Sequence, residues 1–196
     1  MIELLNKYCI ENQNNTGLFL LDMPTGIGKT YSVLKFIKDY LKQKESKKIF
    51  FITTLKKNLD DPCQDLKNDL SDPELKNSIF RVLSNTEYLI ENFNSVKDRI
   101  KNYEIRSSEC FKQICALMAT DSRKPELYTV PEKEFRRLIS RLLSKKFKDK
   151  KQKLSAIKND KEWQWVGDLY PVVFSEEKKV FFLTMKKLIN QYDTIL

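Results

Sequence analysis

The apolar run Leu18-Phe19-Leu20-Leu21 leads through Asp22 into Met23-Pro24-Thr25-Gly26-Ile27-Gly28-Lys29-Thr30, and this junction constrains the fold more than any other stretch of the chain. A compact apolar run bounded by turn residues suits a buried parallel strand. Gly26 and Gly28 free the backbone for a tight turn. Leu34, Ile37 and Leu41 then recur at helical spacing through Tyr31 to Leu41, before a charged turn from Lys42 to Lys48. The expected local structure is strand, loop, helix. A turn of this kind holds a phosphate chain with backbone N–H groups and the positive end of the helix dipole. The expected phosphate-binding residues are Thr25, Gly26, Ile27, Gly28, Lys29 and Thr30. Lys29 is expected to reach the β- and γ-phosphates, and the Thr30 hydroxyl to ligate Mg²⁺.

Residues about 2 to 11 read as a short helix and Asn12 to Gly17 as a polar turn. A second buried strand, Ile49 to Thr53, completes a βαβ unit, for which a right-handed crossover onto a parallel sheet is expected. Ile79 to Leu83 and Val180 to Thr184 are the third and fourth candidate strands. With only 4 Gly and 6 Pro, a turn-dense all-β fold is disfavoured and a mostly helical α/β fold expected. Between them, residues 85–170 are helical and charged, an inserted subdomain that divides the chain into 1–84, 85–170 and 171–196. Its clearest helix begins after Pro131, where Phe135, Leu138, Ile139, Leu142 and Leu143 form one apolar face and Arg137, Arg141, Lys145 and Lys148 line the other.

The chain has no histidine, which excludes histidine-dependent triads and pH switches. Catalysis here has to run on carboxylates, Lys, Arg and Mg²⁺. Cys9, Cys63, Cys110 and Cys115 lack the paired spacing of a zinc site and read as reduced thiols. The amino terminus does not resemble a secretory leader, and no run approaches the roughly 18 apolar residues of a membrane span. A cytoplasmic protein without membrane contact is expected.

From Lys133 to Lys161, twelve basic residues face three acidic ones, a surplus equal to the +9 of the entire chain. A basic segment with Phe135, Phe147, Trp163 and Trp165 nearby could grip a phosphate backbone and stack on bases. It could equally be a solvated face with its aromatics in the core, and the tryptophans read as packing residues that close the insertion.

Met23 stands where the full Walker pattern has its first glycine. Pro24-Thr25-Gly26-Ile27-Gly28-Lys29-Thr30 after an apolar strand resembles motif I of superfamily 2 helicases. Thr53-Thr54-Leu55-Lys56-Lys57-Asn58-Leu59 is similar to motif Ia, which implies nucleic-acid backbone contacts by Thr54, Lys56 and Lys57. Val180 to Leu188 looks like the strand-and-threonine segment before motif II, with Thr184 in the contacting position. The resemblance covers about the first 90 residues and the last 25, and implies a partial RecA-like P-loop domain that takes ATP and Mg²⁺. It further implies DNA or RNA as partner and a second RecA-like domain, in cis or in trans, that brings an arginine. A restriction or antiviral defence system is the setting that analogy points to.

Motif II itself, an Asp-Glu pair after an apolar strand, does not follow Val180 to Thr184; Asp60-Asp61 and Glu176-Glu177 lie elsewhere. The expectation is an amino-terminal helicase portion that ends before motif II. The alternatives are a nucleotide-binding adaptor completed by another chain and a non-enzymatic nucleic-acid-binding module. Some members of the superfamily carry iron-sulfur modules in the inserted region, but only Cys110 and Cys115 fall there.

These 196 residues alone, with saturating ATP, Mg²⁺ and single-stranded nucleic acid, are expected to turn over ATP barely above the uncatalysed rate. A phosphate-release assay with Lys29→Ala as background control checks this. A turnover of about 1 s⁻¹ or more that vanishes in the control would reveal a catalytic carboxylate, with Asp60, Asp61, Glu176 and Glu177 to be tested first.

Overall fold

The computed structural model describes residues 1–11, 26, 28–43, 47–120 and 123–189. The strand expected at Leu18 to Leu21, the turn Asn12 to Gly17, and Thr25 and Ile27 of the loop lie outside the described residues. The chain forms two compact units, Met1–Val82 with Glu177–Leu196, and Leu83–Glu176.

The first unit opens with helix α1 (Ile2–Asn6), which continues as a wider turn through Lys7–Glu11. Helix α2 (Lys29–Leu41) follows the glycine loop, and strand β1 (Ile49–Thr53) leads to helix α3 (Asp60–Asp69). Helix α4 (Pro73–Asn77) starts at Pro73, with the Asp72 carboxylate accepting from the Glu74 N–H, and strand β2 (Ile79–Arg81) follows. The second unit holds helices α5 (Asn85–Val96), α6 (Tyr103–Ser107), α7 (Glu109–Ala119), α8 (Pro125–Lys146), α9 (Lys150–Asn159) and α10 (Gln164–Leu169). The first unit resumes with strand β3 (Val180–Thr184).

The fold is α/β with a parallel sheet. The described strands lie in the order β1-β3-β2, and β3 pairs in parallel with both neighbours. Ile49 is opposite Val180 and Thr53 opposite Thr184 on one side; Ile79 is opposite Val180 on the other. Because successive strand residues face opposite sides, Phe51 and Phe182 meet on one face at 5.0 Å between ring centroids, and Phe50 and Phe181 on the other at 5.1 Å. On the Phe182 face, Phe36, Ile37, Tyr40 and Leu41 of α2 pack with Leu59, Cys63, Leu66 and Leu70 from α3 and its flanks. The third strand is shorter than the expected Ile79 to Leu83. Val82 still donates to the Phe182 carbonyl at 2.9 Å, but the Leu83 N–H turns to the Tyr88 hydroxyl and Ser84 caps α5 in a reciprocal box with Glu87. Local capping ends the strand.

The core of the second unit is aromatic. Phe135 lies within 6.3 Å, centroid to centroid, of Phe93, Phe111 and Trp165. Helix α8 corrects the expectation of a helix that begins after Pro131: it starts at Pro125 and runs through Pro131. Pro125 occupies the first turn, where a missing N–H costs nothing. Pro131 forfeits one backbone bond, but it lies on the buried stripe with Tyr128, Glu132, Phe135 and Ile139, and burial there offsets the loss. The Glu132 carboxylate is buried with them and accepts from Arg136 Nε at 2.9 Å. Burial, with that carboxylate nearby, pushes the Tyr170 hydroxyl well above the ordinary tyrosine range. Among the described residues no helix is long and apolar enough to cross a membrane.

Phe182 is fully buried at the centre of the strand that both other described strands require. Phe182→Ala is therefore expected to cost about 3–5 kcal/mol, read as a lower urea midpoint. A change within about 0.5 kcal/mol would mean that this ring does not anchor the sheet.

Candidate functional site

The glycine loop meets α2 in a conformation that only glycine adopts without strain. Gly26 has φ +84° and Gly28 φ +73°. A Cβ built on either would meet no atom within 4 Å, so backbone conformation, and not crowding, dictates glycine here. Gly28 is the N-cap of α2, and its carbonyl accepts the first helical bond, from Ser32, at 2.9 Å. The N–H groups of the first turn have no intrahelical acceptor, and no acidic residue occupies that turn. The positive end of the helix is thus left to an anion. Lys29 and Thr30 are the first two helical residues, and both side chains are exposed.

Thr53 and Thr184 end β1 and β3 in register. The Thr53 hydroxyl donates to the Leu55 carbonyl at 2.8 Å; Thr54 is exposed beside it, and Lys56 and Lys57 are exposed on the short turn that follows, Lys56–Asn58. Leu59, 2% exposed, pins that turn to the core. The Thr184 hydroxyl accepts from the Lys187 N–H at 3.3 Å and caps the helical turn at 185–189. Asp60 is held by Arg81, Nε to carboxylate 2.6 Å, and is a structural carboxylate at the start of α3. Glu176, in the second unit, pairs with Lys150 at 2.8 Å.

In the second unit Arg137 and Arg141 are exposed on α8. Lys145 is exposed too, 3.6 Å from Glu104. Lys148 departs from the expected helical face: α8 ends at Lys146, Phe147 turns extended, and the Lys148 N–H donates to Gln152 at 3.0 Å. Three of the four aromatic residues near the basic segment point inward. Phe135, Trp163 and Trp165 are at most 2% exposed, and the Trp165 indole donates to the Glu162 carbonyl. Phe147 differs: it is only half-buried, with the Lys146 ammonium 5.9 Å from its ring centroid, and is the one ring of the four that stays within reach of the basic surface.

The cysteines are free; Cys63 and Cys110 are buried, and burial pushes the Cys63 and Cys115 thiols up. Sequence reasoning missed Tyr31, which follows Thr30 on the first turn of α2 and is 72% exposed. The only signal for it was an aromatic residue directly after the Lys-Thr pair.

A family model described as type III restriction enzyme, res subunit, matches residues 2–195. No curated protein matches the chain.

Proposed function

The chain belongs to the family of type III restriction enzyme res subunits, whose matching region is the amino-terminal helicase-like domain of superfamily 2, and from this premise we propose that residues Thr25 to Thr30 bind the phosphates of ATP. One observation carries the reading: Gly26 and Gly28 both hold the left-handed conformation directly before α2, with Lys29 and Thr30 exposed on its first turn. The residues fit the ligand. The glycines leave open space where side chains would stand, and the helix end presents amides and a positive dipole. Lys29 supplies a cation to the terminal phosphates, and Thr30 supplies one hydroxyl ligand to Mg²⁺. When bound, the metal neutralises charge that builds on the phosphates.

The nucleic-acid partner is proposed to follow Thr54, Lys56, Lys57 and Thr184 at the carboxyl edge of the sheet, where ligands of open parallel sheets gather. Arg137, Arg141, Lys145 and Lys148 add sequence-independent phosphate contacts in the second unit. A further RecA-like domain, in cis or in trans, would supply the arginine of the complete motor. A role in restriction is in line with the family description, and antiviral defence is the wider setting that analogy adds.

Lys29→Ala is expected to weaken ATP binding at least ten-fold with the circular dichroism spectrum intact. Equal affinities by calorimetry would remove the loop from the nucleotide site. Neutralising Arg137, Arg141, Lys145 and Lys148 together is expected to weaken binding to single-stranded DNA or RNA and to flatten its salt dependence, since each phosphate contact releases counterions. An unchanged slope would place the contact on Thr54, Lys56, Lys57 and Thr184 instead.

A further inference from the structure

Tyr31 opens a groove that the phosphate loop alone does not require. The groove, about 610 Å³, lies between α2 and α3 within the first unit. Thr30 and Tyr31 stand at its loop end, the half-buried Leu34 lines it with apolar surface above the buried Leu66, and the Lys38–Asp69 ion pair, 2.6 Å, lies toward its far end. From Thr30 to Lys38 the helix advances roughly 12 Å. Small-molecule sites of a few hundred Å³ combine apolar walls with a few polar groups in this way. The exposed Asp65 carboxylate on the α3 wall is an acceptor for amino or hydroxyl donors.

We infer that the nucleoside half of the bound nucleotide lies in this groove, with the Tyr31 ring as the platform for its base. The inference rests on the reading of Thr25 to Thr30 as the phosphate site. Its occupant follows from continuity: Thr30 belongs both to the loop and to the groove, so a ligand whose phosphates sit at the helix end has its other half within reach of the neighbouring side chain. A tyrosine ring with 72% of its surface exposed has a free face, and every nucleobase offers a π surface to stack on it. Lys35, Lys38 and Lys42 against Asp39, Asp65 and Asp69 leave the lining without an excess of either charge, which suits a neutral base and sugar better than further phosphates.

Calorimetry with two probes, MgATP and magnesium tripolyphosphate, separates base from phosphate. The full chain is expected to bind MgATP about ten-fold tighter than tripolyphosphate. Tyr31→Ala should bring MgATP down to the affinity of tripolyphosphate and leave tripolyphosphate itself unchanged, whereas Tyr31→Phe, which keeps the ring, should retain the preference. An undiminished preference in Tyr31→Ala overturns the platform. Equal losses for both probes in Tyr31→Ala overturn it as well, since the residue then acts on the phosphates or the fold. Lys29→Ala is the separate control and should weaken both probes; if it weakens neither, the phosphate-site reading itself fails, and the platform with it.

Discussion

The sheet of the first unit depends on the ladder that β3 makes with both neighbours. β1 and β2 pair with β3 and not with each other, so a strand that begins at Val180 brings together two strands that end at Thr53 and Arg81. Val180, Phe181, Phe182 and Leu183 have no exposed surface. Their burial on both faces is the ordinary condition of a central parallel strand. The cost is loop-closure entropy over a long stretch of chain, and long-range parallel pairing of this kind forms slowly. The carboxyl edge of the sheet, with Thr53 beside Thr184, exists only once this ladder has closed.

The proposed phosphate loop depends on a second constraint, the helix end it feeds. Residues Phe36, Ile37, Tyr40 and Leu41 fix the second half of α2 in the core, while its first turn remains exposed. A rigid element therefore carries exposed first-turn amides at one end, the combination that binds anions without rearrangement. The same division leaves Tyr31 and Leu34 beside a groove instead of inside the core.

Much of this was legible in the sequence, for identifiable reasons. Ile49–Thr53 and Val180–Thr184 are unbroken apolar runs because both faces of a parallel strand are covered, and the structure starts and ends them where the sequence does. The α2 helix was legible from its 3.6-residue period. Strand order was not, because nothing local in Ile79–Arg81 says which neighbour it takes. Pro131 misled because proline ordinarily marks a helix start; here the inward face of α8 compensates, and Tyr128, Pro131 and Glu132 belong to the stripe that continues at Phe135. Lys148 was assigned to a helical face by spacing alone, yet the Asp149 cap of α9 begins a new helix directly behind it. Of the candidate site, the sequence foretold a glycine turn feeding a helix, and Gly26 and Gly28 at positive φ before Lys29 agree with it; the tasks of Lys29 and Thr30 belong to the proposal. The groove was not legible, since it is a relation between two helices far apart in sequence.

The parallel pairing of β2 with β3 has a consequence for the segment between them. A parallel pair cannot be joined by a hairpin, because the chain leaves the carboxyl end of one strand and must return to the amino end of the next, which takes about a dozen residues or more. Leu83–Glu176 therefore serves as that return path as well as a compact body of its own. Cutting it out and joining Val82 to Lys179 through a two-residue turn would leave the strands unable to keep their alignment. A spliced version needs a bridge long enough to cross the sheet, most simply a single helix. The size of this unit is thus open to variation in a way that its two attachment points are not.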